Sequence, residues 1–230
     1  MSSIIKSLRL VLAPPHPAGR PFLAAGAGAV LAGWLLRRLT GWRGFRLASR
    51  AGLLFSGFCL YFFRDPARVT PAGEGTVVAP ADGRVVSIAL VPPPAELGLG
   101  SEPRWRVGIF LSVLDVHVNR MPVTATVTRI AYHEGSFLNA SLDKASDENE
   151  RNAIGLRLVD GRTMAVVQIA GLIARRIVCS IREGDTLATG ERFGIIRFGS
   201  RTDLYLPPEV TPLVADGQTM IGGETVIAHL

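Results

Sequence analysis

TVVAPADGRVVSI, residues 76–88, contains two apolar, β-branched runs on either side of the tetrapeptide Pro-Ala-Asp-Gly. The runs are Thr76–Ala79 and Arg84–Ile88. Short runs rich in valine and isoleucine are typical of strands, and Asp-Gly is a strong turn signal. The stretch therefore predicts two β-strands separated by a turn.

The chain on either side of this stretch continues the β pattern. Strand-like runs follow at residues 106–111, 125–130 and 163–170, and Gly184 and Gly190 mark turns between the last strands. No long amphipathic helix is found after residue 70. The pattern predicts a mainly β sandwich or barrel, and the turns at residues 77–83 and 184–190 resemble those of lipoyl- and biotinyl-type barrel-sandwich domains.

Charge is distributed unevenly along the sequence. Up to residue 70 there are ten lysines and arginines and one acid, Asp65, whereas the rest of the chain has 15 basic and 18 acidic residues. A nucleic-acid-binding domain needs a basic stripe on its folded part, so the mildly acidic remainder excludes nucleic acid as a partner. Basic residues beside apolar runs suit anionic lipid headgroups instead.

Two charge-free runs, residues 21–36 and 51–63, predict two short N-terminal helices. Each is shorter than the roughly 20 residues that span a bilayer. The five arginines in residues 37–50 would lie outside if the runs formed a spanning hairpin, against the positive-inside tendency. We therefore expect residues 1–65 to dip into one leaflet as a membrane anchor before a folded domain at 66–230. A cleaved signal peptide and buried core helices of a soluble protein are the alternatives.

Two cysteines, Cys59 and Cys179, give neither a disulfide framework nor metal-ligand spacing. Both lie in apolar or strand-like runs, where packing is their expected role. The four histidines do not suggest a metal site either. We expect no metal in this protein.

Three motifs carry the chemistry. His117 lies in DVHVNRMP, residues 115–122, and histidine can shuttle protons near neutral pH. A long polar stretch, GSFLNASLDKASDENERN, fills residues 135–152. Gly199-Ser200 follows a β-type apolar run near the end of the chain.

These motifs, with Phe-Phe-Arg-Asp-Pro at residues 62–66 and Pro-Ala-Asp-Gly at 80–83, resemble the short bacterial and archaeal branch of the phosphatidylserine decarboxylases. The resemblance implies that the precursor cuts itself between Gly199 and Ser200 by serinolysis. The products would be a β-chain, 1–199, and an α-chain, 200–230, that stay together as a heterodimer; a higher oligomer is left open.

The resemblance also implies the cofactor and the reaction. Ser200 would become a covalent pyruvoyl group, the pyruvate cofactor of this family, with Asp82 and His117 as the other catalytic residues. Its ketone would form a Schiff base with phosphatidylserine and act as an electron sink while CO2 leaves. His117 would then protonate the carbanion, giving phosphatidylethanolamine. The implied location is the cell membrane, with the catalytic domain on the cytoplasmic side.

Two positions depart from the long-branch pattern of the family. A second histidine that serves self-cleavage is replaced here by Arg120, which cannot act as a base. Arg201 follows the serine where a threonine is usual. The base for self-cleavage is therefore open, with His117 as a candidate for both steps.

Two rival functions compete with this interpretation. A barrel-sandwich domain could be a carrier, but its only lysine, Lys144, lies outside the turns where a carrier lysine belongs. A pyruvoyl decarboxylase for a soluble amino acid would have no use for the apolar N-terminal segment.

Overall fold

The computed structural model describes residues 13–135, 149–171, 176–197 and 199–230. The chain divides into two compact units, Met1–Ala67 and Arg68–Leu230.

The first unit is a helical hairpin. A short 3-10 turn, Pro17–Gly19, leads into helix α1, Arg20–Thr40, and helix α2 follows as Gly44–Phe62. Helix α1 ends at Gly41, which has a φ of 71° and whose amide donates to the Arg37 carbonyl. This left-handed glycine is the usual end of a helix, and it lets the chain reverse direction. Both helices are longer than the charge-free runs in them.

Small residues let the two helices approach closely. A methyl group added at Gly26 or Gly33 would collide with the hydroxyls of Ser56 and Ser49, respectively. Ser49 Oγ also donates to the Val30 carbonyl across the interface, at 3.2 Å. Close contact between small residues and interhelical hydrogen bonds from serine are typical of helices that pack inside a bilayer.

Large apolar side chains cover the outside of the hairpin. Leu39 is 72% exposed, Leu54 76% and Trp34 55%. By length and composition, the segment Pro17–Thr40 is apolar enough to cross a membrane. This exposure disfavours the alternative of buried core helices, whose apolar side chains would be covered.

The second unit is mainly β, as predicted. Its strands, numbered in chain order, are β1 Thr76–Val78, β2 Gly83–Val91, β3 Arg104–Leu111, β4 Val118–Arg120, β5 Ala125–His133, β6 Arg151–Leu158, β7 Thr163–Ala170, β8 Ile177–Cys179, β9 Thr186–Leu187, β10 Arg192–Ile196, β11 Ser200–Tyr205, β12 Thr219–Met220 and β13 Val226–His229. One short 3-10 turn, Ala95–Leu97, precedes β3.

These strands form three sheets. The largest has eight strands in the order β12-β2-β3-β11-β7-β6-β5-β9. A three-stranded sheet has the order β4-β10-β8, and β1 pairs with β13. All the pairings between these strands are antiparallel. The described residues form a sandwich-like arrangement without a closed barrel.

One apolar core joins the three sheets. Ile109 and Val166 from the large sheet, Phe193 from the three-stranded sheet and Ile227 from β13 belong to the same buried cluster. The strands on either side of the turn at residues 80–83, β1 and β2, join different sheets. The turn thus brings two of the sheets to the same core. The Asp-Gly turn is therefore a corner of the sandwich.

Strand β11 lies in the middle of the large sheet and is buried on both faces. Leu204 packs into the main core, whereas Tyr205 packs into a second cluster on the opposite face. Side chains alternate along a strand, so Ser200 and Thr202 share the face of Leu204. Arg201 and Asp203 share the other face.

An ion pair is buried on the face of β11 that is opposite Leu204. Arg201 is fully buried, and its Nε donates to Asp203 Oδ1 at 2.5 Å. A second guanidinium nitrogen of Arg201 donates to Ser87 Oγ at 3.0 Å. Gly108 on β3 makes room, because a Cβ there would lie 2.5 to 3.0 Å from the Arg201 guanidinium. A buried charge is tolerated only when it is paired in this way.

Candidate functional site

Gly199 and Ser200 lie where the chain enters the central strand. Gly199 has a φ of 71°, in the left-handed region that other residues adopt only at a cost. Ser200 is fully buried and lies between Leu111 on β3 and Ala170 on β7. Its Oγ has no hydrogen-bond partner among the described residues. A buried polar atom without a partner costs free energy, which makes a chemical role a natural explanation.

His117 contacts the backbone amide of Gly199, on the amino side of the Gly199-Ser200 bond. The Gly199 amide donates to His117 Nε2 at 3.2 Å, and His117 Nδ1 lies 3.0 Å from the Asp115 carbonyl oxygen. Nε2 accepts a hydrogen bond, so it carries no proton, and Nδ1 faces a carbonyl oxygen, so it donates. The imidazole is therefore the neutral tautomer with its proton on Nδ1. The basic lone pair of a fully buried imidazole is thus directed at the Gly199-Ser200 segment.

Asp82 lies in the corner before β2. Its carboxylate accepts from Arg68 at 2.6 Å and from the Gly222 amide at 2.8 Å. Burial raises the pKa of the Asp82 carboxyl above its usual range, although Arg68 and the Gly222 amide act in the opposite direction. The negative charge of Asp115 also raises this pKa. Asp82 is therefore electrostatically linked to the segment that holds His117, but its hydrogen bonds do not go to Ser200.

A chain of buried side-chain amides links the two sheets beside this site. Asn152 donates to Gln168 at 3.0 Å, and Gln168 donates to Asn119 at 2.8 Å. Asn119 in turn lies 3.5 Å from the Thr202 hydroxyl. Asn119 follows His117 by two residues and Thr202 follows Ser200 by two, so the chain connects β4, which begins directly after His117, with β11, which begins at Ser200. Sequence reasoning did not identify Gln168, which is a lone polar residue in an apolar strand.

We expect Gln168→Leu to lower the free energy of unfolding by about 2 to 5 kcal/mol, since it removes the hydrogen bonds to two buried atoms, Asn152 Nδ2 and Asn119 Oδ1. Unfolding in urea, followed by near-ultraviolet circular dichroism, measures this change. Gln218→Leu is the matched control, because Gln218 is exposed and its loss should cost less than about 1 kcal/mol. Equal losses in the two variants would show that the amide chain contributes nothing special.

Arg120, at the position of the missing second histidine, is buried and makes structural contacts. Its guanidinium donates to the Gly190 carbonyl at 3.0 Å. Its backbone amide donates to the Pro80 carbonyl at 2.8 Å. Arg120 thus connects β4 to two turns that the sequence singled out. These two contacts give Arg120 a structural role.

The end of the polar stretch contacts the strand beside Ser200. Asn149 is buried and donates to the Ala170 carbonyl at 2.8 Å, and the Ala170 amide donates to the Glu150 carbonyl at 2.9 Å. Ala170 is the residue opposite Ser200. The rest of the stretch, residues 136–148 with Lys144, lies outside the described residues, as does Phe198.

Comparison with known proteins identifies what the chain is similar to. The family profile described as phosphatidylserine decarboxylase matches residues 55–228. Proteins named phosphatidylserine decarboxylase proenzyme from Granulibacter bethesdensis and Gluconacetobacter diazotrophicus are 64% and 66% identical to it, each over 99% of this chain. The matches cover 90% and 100% of those two proteins. A third, from Gluconobacter oxydans, is 63% identical over 99% of this chain and all of its own length. The resemblance drawn from the motifs is confirmed.

Proposed function

The chain belongs to the phosphatidylserine decarboxylase family, and from this we propose that it converts phosphatidylserine to phosphatidylethanolamine and CO2 in phospholipid synthesis. One observation of the structure supports the proposal most. The left-handed Gly199 precedes a buried serine hydroxyl without a described partner, and His117 Nε2 lies on the amide of that glycine.

We propose that Ser200 cuts the chain at its own amino side. Its Oγ attacks the Gly199 carbonyl carbon, and the acyl group moves from nitrogen to oxygen to give an ester. Loss of the Ser200 Cα proton expels the Gly199 carboxylate and leaves a dehydroalanine. One water then adds and ammonia leaves, so that residue 200 becomes a pyruvoyl group. A flexible, positive-φ glycine helps because the hydroxyl must reach the preceding carbonyl.

His117 is the proposed base for this cleavage. Its Nε2 carries the lone pair, and it already contacts the amide nitrogen one residue before Ser200. The Asp115 carbonyl holds the ring by its other nitrogen, which fixes the tautomer and the ring orientation. Arg120 has no such capacity, because its guanidinium stays protonated and is bound to Gly190.

In the mature form the pyruvoyl group would supply an electron sink for the electrons released with CO2. His117 would hold the proton that replaces the lost carboxylate, with Nε2 as the donating atom once it is protonated. Asp82 is the third proposed site residue. Its charge acts on Asp115, whose backbone carbonyl orients His117, so Asp82 would influence the reaction through that segment.

The hairpin supports the proposed place of reaction. A helix apolar enough to span a bilayer, with exposed leucines and tryptophans, fits an enzyme whose substrate keeps its acyl chains in the membrane. We propose a membrane-bound enzyme with its catalytic unit on the cytoplasmic side. A soluble amino-acid substrate would leave these surfaces without a purpose.

The purified full-length protein should release CO2 from carboxyl-labelled phosphatidylserine in detergent micelles. It should release at least about a hundredfold less from phosphoserine and free serine at equal concentration, because these lack the apolar part that contributes binding free energy. As a control, the protein is treated with borohydride, with and without substrate, and then assayed again. Borohydride reduces a carbonyl cofactor and so traps it in an inactive form. Equal rates on the soluble compounds would refute a lipid decarboxylase, and no CO2 from any compound would refute the decarboxylase itself.

A further inference from the structure

The helical hairpin contains a groove of about 440 Å³ whose lining residues have no role in the proposed chemistry. It is lined by three apolar side chains and three polar ones, Val30, Leu31, Trp34, Arg37, Arg46 and Ser49. The volume falls in the range of about 300 to 1,000 Å³ typical of small-molecule sites. A volume of this size has room for a small polar group and a short apolar segment, but not for a whole phospholipid.

Two cations line this groove, and no described residue supplies a counter-charge to them. Arg37 and Arg46 are exposed, and neither makes an ion pair with any described residue. The N-terminal segment has few acidic residues to pair with them, because Asp65 is the only acid among the first 70 residues. A pair of guanidinium groups matches the geometry of a phosphate, which accepts two parallel hydrogen bonds from each.

The amino end of α2 adds to the positive potential at this place, whereas the carboxyl end of α1 stabilises the charge of Arg37 itself. Arg46 lies in the first turn of α2, which contains no acid and whose N-cap, Arg43, makes no side-chain capping bond. The amino end of a helix carries a partial positive charge, so Arg46 there is stabilised by an anion from outside. Arg37 lies in the last turn of α1, where a cation is favoured.

The apolar part of the groove favours a phospholipid over a soluble phosphate as the ligand. Leu31 is 65% exposed and Trp34 55%, so together they present a surface that water does not favour. Ser49 is occupied, since its Oγ donates to the Val30 carbonyl. A soluble phosphate would leave the apolar wall bare, whereas the acyl chains of a phospholipid would cover it. Tryptophan also favours the level of the headgroups in a bilayer.

We propose that this groove binds one anionic phospholipid, with its phosphate on Arg37 and Arg46 and the start of an acyl chain along Val30, Leu31 and Trp34. The site belongs to the hairpin alone and does not depend on the cleavage at Ser200. A lipid with a net negative charge binds here more tightly than a zwitterionic one, whose own cation competes for the phosphate.

Quenching of tryptophan fluorescence by lipids with brominated acyl chains tests the proposal. The chain has three tryptophans, so Trp42→Phe with Trp105→Phe leaves Trp34 as the single reporter in the full-length protein. In mixed micelles, brominated phosphatidylglycerol should quench Trp34 saturably at a low mole fraction. Brominated phosphatidylcholine should need a mole fraction about tenfold higher or more.

Variants of the arginines separate a site from general attraction. Arg37→Gln with Arg46→Gln should raise the half-saturating fraction of phosphatidylglycerol about tenfold or more. Arg43→Gln with Arg50→Gln removes the same charge from the same region outside the groove, and should raise it less than about threefold. Equal shifts in the two pairs would mean that only bulk electrostatics acts, and equal quenching by both lipids would mean nonspecific contact. Either result would overturn the proposed site, whatever the outcome of the decarboxylation assay.

Discussion

Ser200→Ala should remain a single chain of full-length mass and release no CO2 from phosphatidylserine. The wild-type protein should give two chains that split after Gly199. The smaller chain should lack a free amino terminus and be lighter, by one ammonia, than a serine-headed peptide of residues 200–230. The reason is that alanine has no oxygen to attack the Gly199 carbonyl, so neither the cut nor the pyruvoyl group can form. Intact-mass spectrometry under denaturing conditions measures both.

Ser180→Ala is the matched control for this experiment. Ser180 is an exposed serine of the same unit, and its hydroxyl donates to the Phe193 carbonyl. We expect this variant to be cut and active like the wild type. A cut Ser200→Ala chain would refute the pyruvoyl group, and an uncut wild-type chain that still released CO2 would refute it as well.

His117→Ala should lose decarboxylation whether or not the chain is cut. If the variant is cut, turnover should fall by about 10² to 10⁴, the usual contribution of a positioned acid or base. If it is not cut, the loss should be complete, because the cofactor is never made. Measuring the fraction cut by mass alongside CO2 release distinguishes the two cases.

Another histidine provides the comparison for His117. His133 is half-exposed and lies 3.1 Å from Glu96, where it takes no part in the proposed site. His133→Ala should cut and turn over within about threefold of the wild type, as expected of a surface change. Wild-type turnover in His117→Ala would remove this residue from the mechanism. Addition of imidazole should restore part of the activity of a cut His117→Ala chain, which a purely structural role would not allow.

The class of fold followed from local patterns, but its central strand did not. The run at residues 163–170 was predicted with the bounds that β7 has, because its side chains are apolar and β-branched. β11 begins Ser-Arg-Thr-Asp, which no hydrophobicity pattern would place in a core. It is buried because Arg201 neutralises Asp203 and because Thr202 lies beside the amide chain. Arg201 and Asp203 are only two residues apart, but the Ser87 hydroxyl that also binds Arg201 and the Asn119 amide beside Thr202 lie far away in the sequence.

The candidate site was predicted in part for a similar reason. The motifs pointed to His117, Gly199 and Ser200, and the structure brings these three together. Asp82 was also singled out, but its ion-pair partner Arg68 was not. Arg68 lies 14 residues before Asp82, and the sequence around it gives no sign that the two side chains meet. The amide chain was missed because asparagine and glutamine in strands give no signal until the sheets are assembled.

The central position of β11 affects the stability and the refolding of the proposed mature enzyme. After the proposed cut, a segment of the chain that begins at residue 200 still supplies the central strand of the large sheet, and its last strand still pairs with β1. The two pieces would be held by strand pairing and by packing in the common core, with no covalent link between them. Folding of the precursor is a first-order event, but recovery of the mature enzyme from denaturant would need two molecules to meet. Its stability would then depend on dilution, and an unfolded copy would be replaced by new synthesis rather than repaired.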